Sequence, residues 1–505
     1  MLKPTSYKFA NAAALLMSCA YIGSAVADAK NGVIDPAPIV QAGLTEAKEL
    51  ITLTDEQLAV EQKAIEQQLA IEKQAEEARL YAEQQEQAES RLADVIDTRQ
   101  LQFKSEIAKI YAQNDYVLLW EDEAARKLFL HEYAAFVASG ISRRAAQNLE
   151  HIDAAAQTGG LIYDIVLTDT FLDYLYYSKN AMNSAQKWLY SANGYKSALP
   201  DENTVQDWLG AVKHNENAAF VARLSSSNSL YKQTVNKLAM LVGSEGNNIA
   251  DVYKLAINAQ RLRVIPSFDN GIFVNIPSYK LNYYRDGRLI LDSRVIVGKK
   301  ARKTPVMYSK LNNVVVNPPW NPTTRLINED LVPKIKRDPS YVARNGYTIL
   351  DARGNAVDPY SINWETIGSK FPYRLRQAPG DSALGNYKFN MPSSDAIYLH
   401  DTPNHNLFKQ KDRALSSGCI RVEQSDQLAT ILLNEAGWSA DKKRKVLDSR
   451  RTTWANIQSD NPVYLYYVTR WVDKGQIYTL PDIYDYDVIP NLSYINWHTV
   501  KKYLH

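Results

Sequence analysis

Only two cysteines, Cys19 and Cys419, occur in 505 residues, which excludes a disulfide framework over most of the chain. A surplus of charge is missing too. The 58 basic and 56 acidic residues give a formal +2 at pH 7, so nothing in the total calls for a nucleic-acid partner. Beyond the first 27 residues no stretch is apolar for long enough to cross a membrane. With 45% apolar and 23% charged residues the chain can pack two or three domains, which rules out a small stapled scaffold and a disordered protein.

What is present begins with a leader. Lys3 and Lys8 precede a stretch from Phe9 to Ala20 that is mostly Ala, Leu and Met, and Ala25-Val26-Ala27 offers the small residues a signal peptidase requires. Residues 1–27 are expected to be a secretory signal, because the apolar run falls short of the roughly 20 residues of a spanning helix. Leu16-Met17-Ser18-Cys19 has the layout of a lipoprotein processing site, so lipidation at Cys19 is the alternative. Removal of the leader leaves Cys419 as the single thiol of an exported protein. It is then a buried inert thiol, half of an intermolecular bridge, or a nucleophile.

From Thr54 to about Asp97 the sequence is rich in Ala, Gln and Glu without Pro or Gly, and Thr54 with Gln57 has capping-box spacing. Twelve acidic and four basic side chains lie between Asp55 and Asp97. Leu58, Ile65, Leu69 and Leu80 hold no strict heptad, so residues 28–99 read as an acidic spacer with one long helix, a partner-binding helix being the alternative. Residues 100–260 show helical patches at Ala124 to Val137 and Thr170 to Trp188, broken at Asn193 to Glu202 and Ser225 to Asn228, and read as a helical scaffold. Two Ser-x-x-Lys tetrads, Ser184 to Lys187 and Ser229 to Lys232, have the spacing of a serine acyl-transferase nucleophile. No Lys-Thr-Gly accompanies them, and they are expected to be helix surface.

Near Val264 the texture changes to strands: Ile272 to Ile276, Lys280 to Arg285 and Arg288 to Val297, with Asp286-Gly287 as a hairpin turn. Val314 to Val316, Ala396 to His400, Tyr464 to Val468 and Gln476 to Tyr478 read as further strands, and the residues after Val422 as a helix capped by Ser425 and stopped at Gly437. The fold class is therefore α+β, with the sheet in the C-terminal half. A Pro- and Gly-rich excursion at about 320–385 holds Trp320, Tyr347, Trp364, Phe371 and Tyr373, and such aromatic content favours a packed lid over a loose loop. Between Arg261 and Arg344 sixteen basic residues face six acidic ones, a surplus suited to an anionic substrate or simply to a solvated face.

The chemistry concentrates in Tyr398-Leu399-His400-Asp401-Thr402-Pro403 and Ser416-Ser417-Gly418-Cys419-Ile420-Arg421-Val422. A thiol with a pKa near 8.5 needs an imidazole to take its proton, and His400 at a strand end can serve. Backbone N–H groups must face the developing oxyanion, and Gly418 before Cys419 lets the backbone come close. Arg421, two residues on, shares one side of an extended chain with Cys419 and is suited to fix a substrate carboxylate or the loop. His400 and His405 lack a third metal ligand nearby, so no metal is expected.

The stretch from about Arg261 to Asp487 resembles the catalytic domain of the L,D-transpeptidases of bacterial cell walls, and the helical part before it resembles the scaffold of the large Gram-negative members. The likeness rests on Val274-Asn275-Ile276-Pro277, Arg294 to Gly298, Thr304-Pro305, Val316 to Trp320, Gln377 to Gly380, Ala383-Leu384-Gly385, His400 to Pro403, Ser416 to Val422, Trp471-Val472-Asp473 and Asp482-Ile483-Tyr484. It implies a catalytic domain over 261–487 with a β-sandwich-like sheet core, a lid at 320–385, a tail at 488–505 and a periplasmic location. It also implies that Cys419 attacks the carbonyl before the terminal D-Ala of a stem tetrapeptide, with His400 as base and a diaminopimelate amine of another stem as acceptor, giving a 3-3 cross-link. Tyr398 and the Gly418 and Cys419 N–H groups would form the oxyanion site, Ser416 and Arg421 would order the loop, no cofactor is called for, and carbapenems become an expected inhibitor class. Ser417 stands where many relatives have His. No small peptidoglycan-binding module is visible between Asn228 and Arg263, which leaves wall targeting to the lid or the acidic helix, the latter also being a surface for other envelope proteins. Use of the thioester for hydrolysis, carboxypeptidase action or lipoprotein anchoring stays open, as does a non-catalytic wall-binding protein.

Overall fold

The computed structural model describes residues 55–505 apart from 192, 193, 244, 245, 247 and 369. The leader, Cys19 and the capping box at Thr54 lie outside the described residues. Helix α1 (Asp55–Val95) contains neither Pro nor Gly, so nothing interrupts its hydrogen-bond ladder. As far as Gln84 it forms a unit of its own, with Ile65, Leu69 and Leu80 exposed and Arg79 held to Glu76 at 2.7 Å.

From Gln85 onward lies a second unit, with Leu92 and Ile96 buried at its start. Its helical part comprises α2 (Lys104–Gln113), α3 (Glu123–Ala138), α4 (Arg143–Thr158), α5 (Gly160–Leu189), α6 (Glu202–Lys213), α7 (Asn217–Leu224), α8 (Ser229–Leu241) and α9 (Ile249–Arg263). Side chains of Asp122, Ser142, Asp201, Asn228 and Asn248 accept from first-turn N–H groups, which is why these helices start where they do. The expected patches fall inside α3 and α5, and both Ser-x-x-Lys tetrads are helical, in α5 and at the start of α8. Between α8 and α9 only residues 242–248 intervene.

The 30-residue α5 is buried along its middle and brings three aspartates into the interior. Asp164 accepts from the Leu119 and Trp120 N–H groups at 2.9 Å, and Asp169 from those of Gln102 and Phe103. Asp173 accepts from the Tyr195 hydroxyl at 2.6 Å. Each carboxylate therefore satisfies a non-helical stretch that crosses the helix, and the bonds offset the cost of burying it. A second polar knot holds α9 in place: the Arg263 guanidinium pairs with Glu132 of α3 and donates to the Tyr174 hydroxyl at 2.8 Å and to Ser178 at 3.1 Å.

The sheet begins with β1 (Gly271–Asn275), β2 (Lys280–Arg285) and β3 (Arg288–Gly298), joined at the Asp286-Gly287 turn where both residues have positive φ. Further strands are β4 (Met307–Lys310), β5 (Asn313–Val316), β6 (Tyr347–Leu350), β7 (Ala356–Val357), β8 (Arg374–Gln377), β9 (Tyr387–Asn390), β10 (Leu399–His400), β11 (Ala414–Ser416), β12 (Ile420–Val422), β13 (Thr453–Asn456), β14 (Pro462–Tyr466), β15 (Arg470–Asp473) and β16 (Gln476–Thr479). The main sheet runs β13-β5-β9-β10-β12-β3-β2-β1-β14-β4, with β11 beside β3. The eleven residues of β3 pair with β2 along their first part and with β12 at Val295 and Ile296, so one strand links two halves of a curled sheet. Helix α10 (Ser425–Glu435) buries Leu428, Ala429, Leu432 and Leu433 against it, followed by α11 (Ala440–Asp448) and a C-terminal α12 (Trp497–Leu504).

Two expectations need correction. Residues 396–400 form a strand only at Leu399 and His400, because Ala396 has φ +53° and turns the chain before them. Ser425 is the first helical residue rather than the cap, which is Gln424, and its hydroxyl donates to Asp401 instead. The excursion is a small body with its own core: Ile327, Leu331, Val332, Ile335, Val342, Ile349, Phe371 and Leu375 pack beneath the three-stranded sheet β7-β6-β8. Its helical run contains a π turn at Ile327–Leu331, and there Arg302 takes hold, donating to Glu329 at 2.6 Å and Asp330 at 2.9 Å with only 8% of its side chain exposed.

Replacing Arg263 by Met leaves Glu132 buried and unpaired, and is expected to lower stability by about 3–5 kcal/mol; an unchanged urea midpoint would contradict this. Replacing Arg302 by Ala frees the excursion, and amide exchange over 324–337 should rise while β1 stays protected. Equal protection in both proteins would mean that the guanidinium does not hold the lid.

Candidate active site

Strands β9, β10 and β12 lie side by side, with Lys388 paired to His400 and His400 paired to Arg421. Directly paired residues of a ladder point to the same face, so the three side chains form one row across the sheet. Residues two positions earlier return to that face. Tyr398 and Cys419 accordingly join them in a cleft of about 780 Å³. Its outer wall comes from the excursion, including Trp320, Thr323, Leu331, Tyr341 and Tyr347.

The loop ahead of Cys419 is held from beneath. Ser416 donates to the Cys419 carbonyl at 2.6 Å and accepts from the Gly418 N–H at 3.1 Å, so that N–H is directed at Ser416. Gly418 has φ +121°, and a Cβ there would lie 3.1 Å from Ile397, which explains the glycine. Thr304 donates to the Gly418 carbonyl at 2.7 Å and accepts from the Gly298 N–H at 2.8 Å. Tyr484 accepts from the Thr304 N–H and donates to the Gly298 carbonyl at 2.6 Å. Ser417 faces the cleft and accepts from Arg302 at 3.1 Å, so the residue that clasps the lid also touches the thiol loop.

The sulfur of Cys419 is half-buried. Its thiol lies 3.7 Å from the Ala396 carbonyl, and the Tyr398 N–H and hydroxyl beside it favour its ionised form. Burial raises the thiol above its ordinary pKa, while the Tyr398 bonds and the charges of Lys388 and Arg421 work against the rise. His400 is buried, and its Nδ1 lies 2.5 Å from the Asp401 carbonyl. A carbonyl only accepts, so Nδ1 carries the proton and Nε2 keeps its lone pair. Burial, and then the Arg421 and Lys388 charges on either side, push the imidazole down to about 3. The Asp401 carboxylate, unlike its carbonyl, orients the strand end rather than the ring, accepting from the Asn386 N–H and the Ser425 hydroxyl, both at 2.8 Å. A Cβ at Gly385 would meet that carboxylate at 2.3 Å.

Tyr398, His400, Ser416, Ser417, Cys419 and Arg421 thus line one cleft, with Gly418 shaping the loop beneath. His405 stands 3.8 Å from Asp401, and among the described residues no group of three or more His, Cys, Asp or Glu side chains is placed to hold a metal ion. Nothing in the sequence marks Lys388, Arg302 or what Thr304 and Tyr484 do, since their partners lie far along the chain. Thr304-Pro305 and Tyr484 stood out only by likeness. The cleft is positively charged: Lys299, Arg325, Lys334, Lys388 and Arg421 line it against Asp330 and Asp395, and Asp330 is already bonded to Arg302.

Residues 269–447 match the L,D-transpeptidase catalytic domain and residues 105–238 match the Scaffold domain. Over 414 residues, 82% of this chain, the sequence is 60% identical to a Haemophilus influenzae protein named as a presumed L,D-transpeptidase, of which 84% is covered. Among solved structures, the L,D-transpeptidase from Mycobacterium smegmatis overlaps 38% of this chain and 57% of its own, at 13% identity and a TM-score of 0.19. L,D-transpeptidase 1 of Mycobacterium tuberculosis overlaps 38% and 59%, at 12% identity and 0.15. The chain spans under two thirds of either, and overlaps with such TM-scores carry no argument. The identity to the Haemophilus protein extends over most of both chains and includes the scaffold as well as the sheet, and on that ground the chain belongs to the L,D-transpeptidase family.

Proposed function

We propose that the protein is a cysteine-dependent peptidoglycan L,D-transpeptidase of the periplasm that forms 3-3 cross-links. The observation that supports this best is the pairing of β10 with β12, which puts a single thiol and an imidazole with a free Nε2 on one face of a cationic cleft. The export of the chain rests on the leader at residues 1–27.

In this reading Nε2 of His400 takes the proton from the Cys419 thiol, and the sulfur attacks the carbonyl of the third residue of a stem tetrapeptide. The Tyr398 hydroxyl and the Cys419 N–H are the donors for the oxyanion, because the Gly418 N–H is occupied by Ser416. The C–N bond breaks, His400 returns its proton to the departing amine, and D-Ala leaves a thioester behind. A diaminopimelate side-chain amine then gives its proton to Nε2, attacks the thioester and restores the thiol. Arg421, whose buried Nε has no hydrogen-bond partner among the described residues, is available to the anionic substrate.

The mature protein and its Cys419→Ala variant, incubated with purified disaccharide-tetrapeptide, should differ in a dimer lacking one D-Ala, found by mass spectrometry only with the thiol present. Dimer formation by Cys419→Ala would end the proposal, and Cys419-dependent tripeptide without dimer would instead favour hydrolysis. A carbapenem should add its mass to the native protein and not to the variant. Because the imidazole titrates near 3, it is already neutral across the neutral range, and base catalysis is lost only as pH falls toward that value. The kcat/KM profile should therefore be flat from about pH 5 to about pH 8, and an acid limb centred near about 6.5 would show that His400 is protonated there.

A further inference from the structure

Lys388 brings to the cleft a charge that none of the steps above uses. It stands on β9 opposite His400, and its ammonium lies 4.2 Å from the centre of the Tyr398 ring. Tyr398 lines the cleft beside Cys419, its N–H and hydroxyl favouring the thiolate, so one aromatic ring links the ammonium to the neighbourhood of the thiol. Among the described residues no carboxylate or carbonyl bonds to it, and contact with the ring face is what orients it.

A half-buried ammonium without an anion is costly, and burial pulls the Lys388 pKa down. Lys388 and Cys419 line the same cleft. Of the two carboxylates that line the cleft, Asp330 is bonded to Arg302, and Asp395 forms no ion pair with Lys388 among the described residues. The missing anion has to arrive with the substrate.

A stem peptide cleaved before its last residue has a free carboxylate on the departing residue, three bonds from the attacked carbonyl carbon. A cation that recognises it must lie within a side chain's reach of the nucleophile, as Lys388 does. Resting on the Cys419 chemistry proposed above, we propose that Lys388 binds the free C-terminal carboxylate of the donor stem and thereby selects for donors with an ionised terminal residue. Arg421, on the far side of the imidazole, remains for a second anionic group of the same peptide.

The test compares disaccharide-tetrapeptide with its C-terminal amide, reading Cys419-dependent release of the terminal residue. The native protein should favour the acid by about 10- to 100-fold in kcat/KM, the effect of one charge-assisted hydrogen bond. Lys388→Met should bring the ratio near unity by slowing the acid substrate alone, through KM, and Lys388→Arg should restore most of the preference. Alkylation of Cys419 by iodoacetamide should stay within about twofold in Lys388→Arg, which keeps the charge beside the thiol, and this reports an intact cleft. If Lys388→Met slows acid and amide alike, with slower alkylation, the lysine serves the thiolate and the proposal is overturned. A native protein that treats acid and amide equally overturns it as well, whatever the variants do. Residual release by Cys419→Ala, run in parallel, would remove the underlying chemistry, whereas Cys419-dependent release with no acid preference removes the carboxylate assignment alone.

Discussion

A two-residue parallel ladder, Leu399 with Ile420 and His400 with Arg421, is the constraint on which the rest of this cleft depends. It fixes which side chains share a face, and a slip of one residue would send His400 and Arg421 into the core and Leu399 and Ile420 into the cleft. Burial opposes such a slip, because Leu399 and Ile420 are fully enclosed on the other face and the Ile420 N–H is bonded to the Tyr398 carbonyl. The site is therefore specified by hydrophobic burial on the side of the sheet that does no chemistry.

That alignment has an electrostatic consequence. An imidazole between two cations, enclosed on the remaining sides, cannot readily hold a proton, and a thiol beside it has no imidazolium to stabilise its anion. The resting pair is thus neutral, and in the proposed reaction proton transfer would coincide with attack instead of preceding it. In that reading the anion that forms meets Arg421 and the Tyr398 donors, a charge and dipoles fixed before the reaction begins. Such fixed donors require a rigid loop, which the Thr304–Tyr484–Gly298 bonds and the Ser416 turn provide.

Much of this could be read from the sequence where partners are near neighbours. The β2–β3 hairpin and its Asp-Gly turn, the helices capped by Asp, Asn and Ser, and the His400 and Cys419 segments depend on residues a few positions apart. Ser425 and the strand before His400 were misread for a local reason: the hydroxyl finds Asp401, and Ala396 takes a left-handed turn that its type does not announce. The aspartates of α5 look like surface residues in sequence, since acidic side chains are seldom buried, and only the N–H groups brought to them by distant loops justify their place. Lys388 and Arg302 were invisible for the same reason. Their meaning lies in register and in a lid carboxylate, not in neighbours along the chain.

Arg302 joins two demands that would otherwise conflict. If the proposed reaction holds, the excursion over the thiol has to open for two stem peptides, yet the oxyanion donors have to stay fixed. The guanidinium sits between them, bonded to Glu329 and Asp330 on one side and to Ser417 on the other. Its stalk rises from the turn after β3, the same strand that pairs with β12, so its anchor moves with the sheet and not with the lid. The lid has a separate hydrophobic core, so it can shift as a body when the two carboxylates let go, without disturbing the packing beneath Cys419. In the proposed reaction, opening would cost the Arg302 contacts to Glu329 and Asp330, while the turn at Gly418 is held by Thr304, Tyr484 and Ser416, none of which belongs to the excursion.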